Sequence, residues 1–306
     1  MPRFTTKDDT SLYYRDLGNS RSGEVRPSII MLHGFGMHSG HWLPYAWLLS
    51  RKYRVIIPDL RGFGQSRLSN FNETCAISNF ASDVNQLIEH LQLKRIRLIG
   101  ISMGALTSLK LIETYDPKQL ERYLHIDQSP CCVNKSDWNW GLFGDEHSDR
   151  LEAASALLED LAPFMARKAN YSEIPLTLRW QIHKELAEFF ASALSKRAHK
   201  AISRTFVSKE WISQRILPTE NWSAYMHCLK SYIDEGYDLR SAVSGSRIPI
   251  DILVGMRSDM YPATGQLRMA DLSENCSVIA FTKSGHAPLI DQPIKLSKEL
   301  MRFAAR

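Results

Sequence analysis

The most constraining feature of this sequence is a serine that stands between two glycines, where an apolar strand-like run meets a helix-like one. The run 96–100 ends at Gly100, and helix-forming residues begin just after Ser102, with Gly104 close behind. The pattern G-x-S-x-G is typical of a tight strand-to-helix turn that presents its serine hydroxyl to a cleft. Bulk at either glycine would push the helix off the strand. The sequence therefore predicts a strained turn with Ser102 at its apex.

Short apolar runs of strand length alternate with helical segments on both sides of this turn. Continuous apolar runs are typical of strands buried on both faces of a parallel sheet. The runs cover residues 28–32, 54–57, 96–100, 123–126, 248–254 and 277–281. Residues 3–17 alternate loosely and predict two edge strands. The expected fold class is α/β, with a mostly parallel central sheet and helices on both faces.

The alternation of strands and helices stops between residues 133 and 240. This stretch has helical periodicity, for example at Leu157 and Leu161, and contains no convincing buried strand. We therefore expect residues 133–240 to form a helical cap that is inserted into one core domain, made of residues 1–132 and 241–306.

Three chemically useful side chains follow three separate strands. In an open α/β sheet, reactive groups gather at the carboxyl ends of the strands. The strand at the turn delivers Ser102 there, the strand after the helical stretch delivers Asp259, and the last strand delivers His286. This order along the chain is that of one type of Ser–His–Asp triad. In such a triad the imidazole takes the serine proton, and the carboxylate orients the imidazole and stabilises its charged form.

The same edge of the sheet offers backbone donors for an oxyanion. The N–H of Met103, directly after the nucleophile, is one of them. The N–H of Phe35, in the loop after the first buried strand, is the expected second donor. We therefore predict catalysis by Ser102, Asp259 and His286, with an oxyanion hole formed by these two N–H groups.

Together these motifs resemble those of α/β-hydrolase-fold serine hydrolases in the esterase, lipase and non-haem haloperoxidase-like group. Besides the G-x-S-x-G turn, the matching segments are 33–36 with Trp42, 59–66, 255–259 with Pro262, and 285–286 with Pro293. The resemblance covers the core and not the stretch 133–240. It implies an α/β-hydrolase fold with an inserted helical cap. It also keeps Asp127 open as the alternative acid, because some relatives of the dehalogenase type take their acid from that place.

The expected function is that of a serine hydrolase that cleaves carboxylic esters of apolar acyl or aromatic substrates through an acyl-enzyme. Two alternatives remain open. One is hydrolysis of a C–C bond, hydrolysis of a lactone, or perhydrolysis by the same triad. The other is a ligand sensor on the same fold that does not turn its ligand over. This fold hosts many chemistries, so the motifs do not choose the substrate.

The helical stretch is rich in aromatic side chains. Trp138, Trp140 and Phe143 are candidates for lining an apolar substrate pocket over Ser102. The remaining aromatic residues of the stretch are expected to pack within it or to dock it on the sheet. The expected partner is a small-molecule ester or lactone.

Charge and hydrophobicity argue against two other classes of protein. The formal net charge is +5, but the basic residues are scattered and are not interleaved with aromatic ones, so we expect no nucleic-acid partner. No apolar run approaches the length of a membrane span. Residues 1–10 lack the apolar core of a signal peptide, so we expect none.

The cysteines and histidines indicate neither a disulfide framework nor a metal site. The five cysteines are odd in number and include no C-x-x-C pair, which favours a reducing compartment and a cytoplasmic protein. His38 and His41 lie close together in the chain but have no third ligand, so we expect no metal and no cofactor. The sequence leaves the oligomeric state open.

Overall fold

One sheet carries every strand of the structure. The computed structural model describes residues 2–18, 27–69, 75–195 and 222–306, with the single positions 201, 205, 209 and 211. In these residues eight strands pair in the order β1-β2-β4-β3-β5-β6-β7-β8. They are β1 (Arg3–Thr5), β2 (Ser11–Leu17), β3 (Ser28–Leu32), β4 (Arg54–Pro58), β5 (Ile96–Ile101), β6 (Leu120–Ile126), β7 (Ile250–Gly255) and β8 (Cys276–Phe281).

The strands from β3 to β8 pair in parallel, whereas β1 and β2 join one edge through antiparallel pairings. Every residue of β3, β5 and β7 is buried. This pattern is expected for parallel strands that are covered on both faces, and it explains why their sequences are continuous apolar runs. The predicted mostly parallel sheet is therefore confirmed.

Helices cover both faces of the sheet. The α-helices of the described residues are α1 (Leu43–Leu49), α2 (Ala76–His90), α3 (Met103–Tyr115), α4 (His147–Ala166), α5 (Leu176–Ser192), α6 (Trp222–Glu235), α7 (Arg240–Ser244), α8 (Ala263–Ala270), α9 (Pro288–Asp291) and α10 (Pro293–Ala305). One apolar cluster joins the sheet to α1 and α10 through residues such as Ala46 and Leu300. A second cluster joins the other face to α2 and α3 through residues such as Phe80 and Leu106. None of the helices in the described ranges combines the length and the apolar character needed to cross a membrane.

Three long helices, α4, α5 and α6, stand between β6 and β7 in the chain. Their inward faces, including Leu161, Leu186 and Met226, belong to the same apolar cluster as α2 and α3. The helical periodicity predicted for this stretch is therefore present where the chain is described, although most of residues 196–221 lie outside the described part. The division into a separate cap at 133–240 stays a prediction.

A buried ion pair ties the loop after β4 to helix α2. Arg61 Nη2 lies 2.7 Å from Asp83 Oδ1, and the two side chains are only 4% and 5% exposed. Arg61 Nη1 also lies 2.6 Å from Asp8 Oδ2 in the turn between β1 and β2. Because an uncompensated buried charge is costly, Arg61 and its two carboxylate partners hold these three segments together.

Candidate active site

The turn between β5 and α3 holds Ser102 in strained backbone geometry. Its φ and ψ are 52° and −125°, a region that residues other than glycine rarely adopt. The Ser102 N–H donates to the carbonyl oxygen of Ile126, 3.1 Å away at the end of β6. The strained turn that the sequence predicts is thus fastened to the neighbouring strand.

Two glycines allow α3 to lie this close to the sheet. A Cβ added at Gly100 would stand 2.5 Å from the carbonyl oxygen of Gly104. A Cβ added at Gly104 would stand 2.6 Å from the carbonyl oxygen of Leu32. Both obstacles are backbone atoms, so a side-chain rotation relieves neither of them.

The loop after β3 passes directly against Ser102. A Cβ added at Gly34 would stand 3.2 Å from the Cβ of Ser102, which places the neighbouring Phe35 beside the turn. Met103 is the first residue of α3, where a backbone N–H has no partner within its helix. The turn and loop hydrogen bonds of the described residues use neither the Phe35 nor the Met103 N–H. Both N–H groups therefore remain candidates for binding a substrate oxygen at Ser102.

A buried histidine braces this loop. His33 Nε2 accepts a hydrogen bond from the Leu60 N–H at 3.0 Å, so the proton of the neutral ring lies on Nδ1, 2.9 Å from the carbonyl oxygen of Gly34. Burial lowers the pKa of His33 to about 4. The ring therefore stays neutral at neutral pH and links the loop after β3 to the loop after β4.

The imidazole of His286 is held by Asp127. His286 Nδ1 lies 2.8 Å from Asp127 Oδ2, and the two side chains are 8% and 0% exposed. Asp127 directly follows β6, and its own φ is 45°. The hydrogen bond places the proton of a neutral His286 on Nδ1 and leaves Nε2 to act as a base.

Three further donors converge on the Asp127 carboxylate. The Gly255 N–H and the Gln266 side-chain amide donate to Oδ1 at 2.7 Å and 3.0 Å. The Ser258 hydroxyl donates to Oδ2 at 2.8 Å. A buried carboxylate surrounded by donors is satisfied as an anion and is fixed in orientation.

The acid preferred from the sequence is thereby corrected. Asp259 was expected to orient His286, but the carboxylate at hydrogen-bond distance belongs to Asp127, the alternative. Asp259 is exposed on the loop after β7. The physical reason is the order of the strands: β6 is the direct neighbour of β5, whereas β7 lies one strand further from Ser102.

The register between β5 and β6 brings Ser102 and Asp127 to the same edge of the sheet. Ile101 pairs with Ile126, so Ser102 and Asp127 are the next residues on two adjacent strands. Among the hydrogen bonds of the described residues, none joins the Ser102 hydroxyl directly to the His286 ring. Such bonds are often long before a substrate is bound and tighten in the reactive complex.

A second buried histidine lies beneath the turn. His125 Nε2 lies 2.7 Å from the carbonyl oxygen of Gln128, and Nδ1 lies 2.9 Å from the Tyr123 hydroxyl. Nε2 donates to the carbonyl, and Nδ1 faces the Tyr123 hydroxyl, whose proton is shared with the carbonyl oxygen of Ala105, 2.9 Å away. Burial lowers the pKa of His125 to about 4, which keeps this ring neutral as well.

An apolar cavity of about 90 Å³ opens at Ser102. It is enclosed by the turn between β5 and α3, by the loops after β3 and β7, and by α4, α5 and α6. Residues that line it include Phe35, Ser102, Leu142, Phe143, Leu157, Ile182, Leu186, Phe189, Met226, Cys228, Tyr232, Met260 and Tyr261. The arrangement offers an acyl-sized apolar space directly beside a serine hydroxyl.

Of the three aromatic residues predicted to line the pocket, only Phe143 does so. Trp138 points its indole N–H at the Ser129 hydroxyl, 3.1 Å away, and Trp140 packs so closely on α8 that a Cβ at Gly265 would stand 2.3 Å from its Cβ. The prediction for Trp138 and Trp140 is therefore wrong: they dock the chain onto the core.

The sequence reasoning missed Ser258 and Gln266, which hold Asp127, and Cys228 and Tyr232, which line the cavity. Ser258 stands next to the predicted acid and belongs to the same loop, so its position was a usable signal. No comparable local motif marks Gln266, because its role depends on where α8 packs.

The family of the chain follows from comparison with known proteins. A family model described as alpha/beta hydrolase fold matches residues 27–293. The chain belongs to the α/β hydrolase fold family, as the sequence motifs predict.

Individual relatives are distant but match nearly the whole chain. It is 24% identical to the pimeloyl-(acyl-carrier protein) methyl ester esterase of Nitrosomonas europaea over 267 residues, 87% of this chain and 91% of that protein. It is 24% identical to the non-heme chloroperoxidase of Streptomyces lividans over 306 residues, 99% of each. An esterase structure from Exiguobacterium antarcticum has a TM-score of 0.76 at 19% identity and covers 99% of both chains. The curated relatives indicate a hydrolase, and the structural likeness supports the fold.

Proposed function

We propose that this chain is a serine hydrolase that cleaves carboxylic esters of apolar acyl groups with Ser102, His286 and Asp127. The observation that carries the proposal is the buried 2.8 Å contact between His286 Nδ1 and Asp127 Oδ2, formed at the strand ends where Ser102 stands.

The reaction begins when the Ser102 oxygen attacks the ester carbonyl and His286 Nε2 takes the hydroxyl proton. Asp127 stabilises the imidazolium that forms, and it does so without accepting the proton. The tetrahedral intermediate collapses, the alcohol leaves with the proton from His286, and the acyl group stays on Ser102. Water then repeats the sequence: His286 takes its proton, the acid is released, and the hydroxyl of Ser102 is restored.

The backbone of the oxyanion loop supplies the charge stabilisation. The N–H groups of Phe35 and Met103 are proposed to bind the oxygen of the tetrahedral intermediate. They are held by the close approach at Gly34 and by the start of α3, so they require no rearrangement when charge develops. Losing one such donor typically costs about 3 kcal/mol of transition-state stabilisation.

The cavity favours small apolar acyl groups. Its volume of about 90 Å³ is below that of an engineered cavity of roughly 150 Å³ that binds benzene. An aromatic or long acyl group would therefore require the helices around the cavity to move. We expect 4-nitrophenyl butanoate to be hydrolysed with a higher kcat/KM than 4-nitrophenyl benzoate or dodecanoate.

Ser102→Ala provides the test of the proposed chemistry. The variant retains the fold but lacks the attacking oxygen, so hydrolysis of 4-nitrophenyl butanoate should fall to the background rate. Ser108→Ala, which removes a buried hydroxyl bonded within α3, is the matched control and should retain activity. Turnover by Ser102→Ala at the parent rate would refute the proposal.

A second candidate reaction is perhydrolysis, which the match to a non-heme chloroperoxidase over both full lengths favours. Hydrogen peroxide would replace water in the second half of the cycle, and the acyl group would leave Ser102 as a peracid. Adding peroxide to a running assay and measuring peracid against free acid separates the two. A lactone in the same panel tests ring opening by the same triad.

A further inference from the structure

Tyr232, a half-buried residue of α6, lies in the wall of the cavity at Ser102. One helical turn before it, Cys228 lines the same cavity and brings its sulfur to 3.5 Å from the Met103 sulfur. Residues four apart share one face of a helix. Tyr232 therefore lies on the same face of α6 as Cys228, about one helical turn along the helix.

The hydroxyl of Tyr232 has no hydrogen-bond partner among the residues that the structure describes. It is also not one of the side-chain polar atoms in those residues that are both fully buried and without a partner. The ionisable groups around it are Tyr261, Cys132, Cys228 and Tyr237, all of them phenols and thiols. Burial raises the pKa of Tyr232 well above its ordinary value. The group is thus a protonated donor across the working pH range, and a donor left unpaired in an apolar site carries a free-energy cost.

We propose that the Tyr232 hydroxyl donates a hydrogen bond to an acceptor oxygen in the group that fills the cavity, so that the site selects substrates carrying such an oxygen over all-carbon chains of equal length. The proposal rests on the proposed ester hydrolysis and names a substrate class for it: oxo-, alkoxy- or hydroxy-substituted apolar esters. An alkyl chain leaves the phenol unpaired, whereas a chain with one acceptor at the right position satisfies it.

The test replaces one methylene of a hexanoyl chain by oxygen, position by position, in 4-nitrophenyl esters. The quantity is the ratio of kcat/KM for each oxa-ester to that for the hexanoate, in the parent and in Tyr232→Phe. Dividing the ratio in the parent by the ratio in Tyr232→Phe cancels the inherent reactivity of each ester. A parallel series with the oxygen in the alcohol part of hexanoate esters determines which side of the ester fills the cavity.

At one oxa position, in either series, the ratio should fall about tenfold in Tyr232→Phe, while hydrolysis of the hexanoate is retained or improved. Tyr225→Phe is the matched control, because Tyr225 lies on the same helix and is not among the residues lining the cavity. Its ratios should equal those of the parent. Equal ratios in the parent and in Tyr232→Phe at every position of both series would overturn the proposal.

Binding separates this proposal from the proposed function. In the Ser102→Ala background, the Kd of methyl hexanoate and of its oxa analogues is measured by calorimetry, with and without Tyr232→Phe. A preference for one oxa analogue that disappears with the hydroxyl supports the role of Tyr232 even if the parent hydrolyses no ester. No preference in either background overturns it even if ester hydrolysis is rapid.

Discussion

His286 Nδ1 and Asp127 Oδ2 lie 2.8 Å apart, although the two residues are 159 positions apart in the chain. The contact joins the end of β6 to the loop after β8. It fixes which nitrogen of a neutral imidazole carries the proton, and it leaves the other nitrogen for the role proposed here, that of the base for Ser102. The choice between two carboxylates, Asp127 and Asp259, is the sharpest consequence of the structure for the mechanism.

Replacing the acid should separate the two carboxylates. Asp127→Asn should lower kcat for 4-nitrophenyl butanoate by about 10⁴-fold, because the amide favours the wrong tautomer of His286. Asp259→Asn, at an exposed position of the loop after β7, should leave kcat close to the parent value. The melting temperature of each variant shows that the loss is not unfolding. A large loss in Asp259→Asn with full activity in Asp127→Asn would reverse the assignment.

Gly104 should tolerate no side chain. Gly104→Ala places a Cβ 2.6 Å from the carbonyl oxygen of Leu32, so α3 must move off the sheet or the turn must distort. We expect a loss of about 2 kcal/mol in the free energy of unfolding and a fall in kcat, both measured on the purified variant. Gly245→Ala, whose Cβ would meet one atom at 3.1 Å, is the control. Equal stability of the two variants would contradict this account of the turn.

The buried ion pair at Arg61 should matter for stability and not for chemistry. Asp83→Asn leaves the guanidinium of Arg61 without its buried partner and should lower the free energy of unfolding by about 3 kcal/mol. In contrast, Asp137→Asn removes a carboxylate that is 64% exposed from its pair with Arg240 and should cost less than about 1 kcal/mol. Denaturant titration measures both. The reverse order would show that the pair is not what holds the loop after β4.

Acid should destabilise the fold through its buried neutral histidines. His125 has a folded pKa of about 4, whereas an unfolded histidine titrates near pH 6.5. Between these values the unfolded chain binds the proton and the folded chain does not, so stability is full above about pH 6.5 and falls as the pH drops towards 4. The loss due to this residue is up to about 3 kcal/mol.

Urea titrations at several pH values between 4 and 7 test this with His125→Asn. The variant starts from a lower stability, but its free energy of unfolding should decline less steeply with acid than that of the parent. His33, with a pKa also lowered to about 4, contributes equally to both proteins. If the free energy of unfolding fell equally steeply with acid in the parent and in the variant, His125 would have no part in the acid destabilisation.

Local patterns predicted the fold and the strained turn at Ser102, because both depend on neighbouring residues. A run such as 28–32 is apolar throughout because both faces of its strand are covered, and the two glycines around Ser102 reflect contacts within one turn. The acid depends on which strands are neighbours in space, and the sequence does not state that β6 lies beside β5. The sequence likewise shows that Trp138 and Trp140 are present. It does not show which way their side chains point, because that depends on how they pack against α8 and the loop after β6.

The central claim is that Ser102 is a nucleophile activated by His286, and covalent trapping tests it most directly. The protein is incubated with a fluorophosphonate, and the adduct is counted by intact mass and located by peptide mapping. We predict one adduct per chain, on the peptide that contains Ser102, absent from Ser102→Ala and formed far more slowly in His286→Ala. An adduct that persists in Ser102→Ala, or equal labelling rates in His286→Ala and the parent, would contradict the claim.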